Sequence, residues 1–134
     1  MNNAASGPPG PHIVALLSDL MATVQLEGPA RAGGWTLVTI AGPAALRSAL
    51  AAEKPALALL DLADPAFSFA ETYRAIREEA PQARIVAIYP HIRDELATMA
   101  RQAGCEIVMP RSRFFMNPAG AIATALAPST PAQA

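Results

Sequence analysis

Cysteine is nearly absent from this 134-residue chain: Cys105 stands alone. That excludes an internal disulfide and a cysteine-rich zinc centre. Placed before the fifth apolar run, it reads as a small core residue. Charge is sparse too, at 16% of residues, with a formal net charge of -1 and the two signs interspersed. No basic stripe emerges, so the electrostatic footprint of nucleic-acid binding is missing. No apolar stretch reaches the roughly 20 residues of a membrane helix. The opening MNNAASGPPGP has no basic segment leading into an apolar run, so a cytoplasmic protein off the membrane is expected. A Gly-rich phosphate loop, a GxSxG elbow and an HExxH helix are also missing, and no enzyme activity is expected.

What is present is apolar: 52% of residues are hydrophobic, and many of them are alanine. The length suits one domain able to bury its own core. Residues 1–11 and 128–134 are Pro-, Ser-, Gly- and Ala-rich and read as flexible tails around a domain at 12–127. Five short apolar runs recur inside it: Ile13–Leu17, Thr36–Ile40, Ala56–Leu60, Arg84–Tyr89 and Glu106–Met109. Continuous runs of this kind suit strands buried on both faces, as in a parallel sheet.

Helices are expected between the runs. Asp19 or Ser18 can cap the first, with Met21 and Val24 among its apolar positions and a kink or early break at Gly28-Pro29. Pro43 suits the first turn of the second, which carries Leu46, Ala49 and Leu50. Phe69, Tyr73 and Ile76 stripe the third. Ile92, Leu96, Met99, Ala100 and Ala103 stripe the fourth, which Gly104 ends. Asn117-Pro118 opens the last, with Ile122 and Leu126 facing inward. Strand and helix thus alternate five times, giving a three-layer α/β sandwich on a five-stranded parallel sheet.

In such sheets chemistry sits beyond the carboxyl ends of the strands. Those ends hold Ser18 and Asp19, Ala41 and Gly42, Asp61 and Asp64, Tyr89 to His91, and Pro110 to Ser112. Asp61 closes its run in LLDLADP, either as a cap reached early or as a functional carboxylate at the sheet rim. Asp64 precedes Pro65 and suits an Asx turn. His12 and His91 fall at opposite strand ends and cannot share a metal, and Trp35 lies at the end of the sheet away from Asp61.

LLDLADP, together with RIVAIYPHIRDELATMARQAGCEIVMPRS, resembles the response-regulator receiver family (CheY-like), in its degenerate, pseudo-receiver form, over about residues 12–127. The resemblance implies a flavodoxin-like fold with strand order 2-1-3-4-5. It makes Asp61 the phosphoacceptor candidate, because in the family an Asp ends the third strand and a Pro follows four residues later. Family members take a phosphoryl group onto that Asp with magnesium, an acidic pair, a Thr or Ser, and a Lys.

Here the acidic pair aligns with Leu17 and Ser18, leaving Asp19 as the only acid nearby. The small hydroxyl aligns with Tyr89, and the Lys with Arg111 or a residue beside it. A metal held by Asp19 and Asp61 would be weak or absent. No cofactor is expected, with magnesium only if the chain is instead a phosphorylatable two-component receiver served by a sensor kinase in a phosphorelay. Asp61 is expected to pair with Arg111 across the sheet end.

RSRFFM at 111–116 reads either as a partner cluster or as rings folded back under the last helix. By resemblance, Ile92, Met99, Phe114, Phe115 and Met116 are the partner-interface candidates, for a second copy of the chain or another protein.

Overall fold

A computed structural model describes residues 10–128. The calls for flexible tails at 1–11 and 128–134 therefore lie outside the described residues, apart from Gly10, Pro11 and Pro128. The elements are β1 (His12–Leu16), α1 (Leu20–Gly33), β2 (Thr36–Ile40), a 3-10 turn (Pro43–Ala45), α2 (Leu46–Glu53), β3 (Leu57–Asp61), α3 (Phe69–Glu79), β4 (Arg84–Tyr89), α4 (Asp94–Ala103), β5 (Ile107–Pro110), α5 (Arg111–Met116) and α6 (Pro118–Leu126). All strand pairings are parallel, in the order β2-β1-β3-β4-β5. Among the described residues no helix is long and apolar enough to cross a membrane.

Alternate residues of the apolar runs feed opposite faces, which is why the runs are continuous. Val14, Leu16, Ala58, Leu60, Ile85 and Ala87 meet Leu46 and Leu50 of α2, Ala75 and Ile76 of α3, and Ala100 of α4. Ile13, Ala15, Leu57, Leu59, Val86 and Ile88 meet Ala22 and Leu26 of α1, Phe114 of α5, and Ile122 and Ala125 of α6. Because the strand order reverses across β1, right-handed crossovers put α1 and α6 on one face and α2 to α4 on the other.

Several expectations need correction. Gly28-Pro29 does not break α1, which runs on to Gly33. Leu26 and Ala30 are buried on either side of the proline, so core packing outweighs the lost hydrogen bond. Met21 and Val24 point outward, and the buried stripe is Ala22, Leu26 and Ala30. On α4 the buried residues are Ala97 and Ala100; Ile92 lies before the helix and is 78% exposed, while Met99 and Ala103 are also exposed. Alanine lets a helix approach the sheet closely, so the larger side chains fall outside the contact. His12 belongs to β1 itself, Asp61 to β3 and Pro110 to β5. Pro110 is tolerated because β5 is an edge strand.

Gly104 caps α4 as expected, with φ of 112° and its N–H on the carbonyls of Ala100 and Arg101. Asn117 caps α6 through Gly120 N–H at 3.0 Å. The segment expected as a connection at 111–116 is the helix α5.

Candidate functional site

The carboxyl ends of β1 and β3 flank the point where strand order reverses. Asp61 ends β3 there, 8% exposed. Its Oδ1 accepts the Ala63 N–H at 3.0 Å, and its Oδ2 accepts from Nη1 of Arg111. The second arm of that guanidinium, Nη2, donates to Asp19 Oδ2 at 2.7 Å. Asp19 is the N-cap of α1, where its Oδ1 accepts from Met21 N–H at 3.0 Å and Ala22 N–H at 3.4 Å. Arg111 opens α5 directly after β5, so three elements converge on one cation. The expected Asp61–Arg111 pair forms; the link to Asp19 was not anticipated.

Burial pushes the Asp61 carboxyl above its ordinary range. The Ala63 N–H and the Arg111 charge pull the other way, and the charge of Asp64 adds to the rise. Asp61 also lines a cavity of only about 10 Å³, with Leu16, Leu60, Leu62, Phe67, Phe69 and Thr72. Asp19 is lowered instead, chiefly by the Ala22 N–H, with Met21 N–H and Arg111 helping.

Asp64 is more than a turn residue. It is buried, and its Oδ2 accepts the Ser18 N–H at 2.7 Å. Its Oδ1 accepts the Ser18 hydroxyl at 2.8 Å and the Ala66 N–H at 2.9 Å. Ser18 and Asp64 therefore pin the β1–α1 loop to the β3–α3 loop. In Asp64→Asn either amide orientation turns an NH2 group toward a backbone N–H, of Ser18 or of Ala66. The variant is expected to lose about 1–2 kcal/mol. An unchanged midpoint in urea unfolding would show that the pin bears no stability.

Tyr89 ends β4 and is buried, but among the described residues no hydrogen bond brings it into this network. Phe114 is a correction: it is 0% exposed in the core beside Ile88 and Ile122, so it offers no partner surface. Its ring is the one that folds back under the last helix. Phe115 is half-buried, whereas Met116 is 84% exposed; Ile92 and Met99 also remain at the surface. Phe115 was unanticipated as a neighbour of the site: the Arg111 guanidinium sits 5.5 Å from its ring centroid. A helical reading of 111–116 would have found this, since i and i+4 share a face.

Magnesium wants free carboxylate oxygens in near-octahedral array. Both oxygens of Asp61 and both of Asp19 already accept hydrogen bonds, one on each side from the same guanidinium. Among the described residues no three His, Cys, Asp or Glu side chains are grouped to hold a metal ion. As placed, the two carboxylates hold a guanidinium between them.

No protein-family model matches the chain, and no curated protein matches it. Solved structures do. A response regulator from Thermotoga maritima superposes with a TM-score of 0.70 at 14% identity, covering 87% of this chain and 97% of that one. A response regulator receiver domain protein from Clostridium thermocellum gives 0.73 at 14%, covering 87% and 94%. A response regulator from Burkholderia pseudomallei, solved with a phosphorylated aspartic acid, a calcium ion and citrate, gives 0.70 at 17%, covering 88% and 67%. At these identities the likeness shows the fold: a five-stranded receiver fold of the CheY-like, flavodoxin-like kind.

Proposed function

We propose that this chain is a receiver-like signalling module that acts through protein contacts, with its acid pocket held by Arg111 and not by a metal and a phosphoryl group. One observation carries this reading: the Arg111 guanidinium bridges Asp61 and Asp19 and takes up the oxygens a cation would need. Arg is always charged and its planar fork suits two carboxylates at once, so part of the pocket's negative charge is offset without a ligand. Ser18, where the family has an acid, is committed to Asp64. The chain then has no catalysis of its own. Its output, in the cytoplasm, is a surface offered to a second copy or to another protein, with Ile92, Met99, Phe115 and Met116 as candidates.

Incubation with magnesium and a small phosphodonor, followed by intact mass, tests this. The expected result is no phosphoryl adduct. A stoichiometric adduct that disappears in Asp61→Asn would instead establish a phosphorylatable two-component receiver, fed by a sensor kinase.

A further inference from the structure

The helix α5 is six residues long, and a helix so short has little stability of its own. Its N-cap is Pro110, with no side-chain hydrogen bond to the first turn. Three side chains anchor it, one of them the half-buried Phe115, which packs against the edge of the core. Phe114 reaches down into the core, and Arg111 reaches across the strand ends to Asp61 and Asp19. The same guanidinium covers the Phe115 ring at 5.5 Å, and that ring meets Phe114 edge-on at 5.0 Å. The group that fills the acid pocket is thus also the group that holds α5 down and shields Phe115. Beyond it Met116 is already in solvent.

From this we infer that Arg111 is a latch coupling the charge of the Asp61–Asp19 pocket to the pose of α5. While both carboxylates are ionised, the guanidinium is held between them and the first turn of α5 is closed over the strand ends. When the negative charge is removed, the guanidinium keeps only weaker, neutral acceptors and solvent, α5 loosens, and Phe115 is uncovered beside Met116 as a switchable apolar surface. Phe114 keeps the helix tethered, so the change is a local opening and not unfolding. The inference deepens the function proposed above and rests on Arg111 being the resident cation of the pocket.

Hydrogen exchange read by mass spectrometry on the whole chain, without phosphodonor, tests it. In Asp61→Asn the peptide spanning Arg111 to Asn117 is expected to exchange several-fold faster than in the wild type. In the double variant Asp19→Asn/Asp61→Asn the increase should reach roughly tenfold or more. Peptides from β3, β4 and α3 should not change. A second readout uses Phe115→Trp on a Trp35→Phe background: acrylamide should quench its fluorescence more strongly once Asp19 and Asp61 are both Asn. Unchanged exchange at 111–117 together with unchanged quenching overturns the latch. Because no phosphodonor is present, that failure would leave the mass measurement, and the proposed function, standing. Conversely, a phosphoryl adduct with loosening in the variants would reject the function and keep the latch.

Discussion

Phe114→Ala is expected to lower folding stability by about 3–5 kcal/mol. The ring is fully buried on the sheet face shared by Ile13, Leu57, Leu59, Val86, Ile88 and Ile122. It is also the one fully buried side chain that α5 contributes. Truncation removes a large apolar area from the interior and leaves a void the surrounding strands cannot close. A domain of this size holds roughly 5–15 kcal/mol in all, so the loss is a large fraction of the total. Phe115→Ala, half-buried and covered on one side by a guanidinium, should cost only about 1–2 kcal/mol. Urea unfolding with unchanged slope separates the two. If Phe115→Ala proves the more damaging, the two rings have been assigned to the wrong sides of α5.

That contrast marks where the sequence stops being informative. Phe114 and Phe115 are neighbours of one type in RSRFFM, and only the helical turn around them sends one inward. Six residues are too few for a period to declare itself, so α5 read as a connection. The sheet, by contrast, was legible, because strands buried on both faces leave unbroken apolar runs. Asp61 was legible for the complementary reason: a carboxylate ending such a run stands out. Helix faces were less so. Large side chains drew attention at Met21, Val24, Ile92 and Met99, whereas the actual contacts use Ala22, Ala30 and Ala97 beside the expected Ala100. The grip of Arg111 on Asp19 was hidden for another reason, since two residues 92 positions apart meet only through side-chain reach at the sheet rim.

Substitutions at the two ends of the Asp61–Arg111 pair should have opposite signs. Arg111→Ala is expected to cost roughly 2–3 kcal/mol, because it strands an ionised carboxylate at a buried position beside Asp64. The figure stays below that of a fully enclosed pair because the Arg111 side chain is 30% exposed and water screens it. Asp61→Asn, by contrast, should stabilise the fold and raise the thermal midpoint. The net upward shift of the Asp61 carboxyl means that burial costs the charged form more than Ala63 and Arg111 return. An uncharged isostere avoids that cost when its amide oxygen keeps the Ala63 N–H, and Arg111, turned away from the amide NH2, still has Asp19.

The sign with pH follows from the same shift. With the folded value above the unfolded one, the unfolded chain releases its proton first as pH rises, so Asp61 removes stability across that interval and keeps it removed at neutrality. The gap between wild type and Asp61→Asn should therefore be small near pH 3 and widen toward pH 7, about the range in which a raised carboxyl titrates. In Arg111→Ala the widening should be steeper, and adding Asp61→Asn should recover most of the loss. Should Asp61→Asn be the less stable protein at neutral pH, with a gap that ignores pH, the guanidinium would outweigh desolvation, and the pocket would be a structural ion pair with no strain held at its centre.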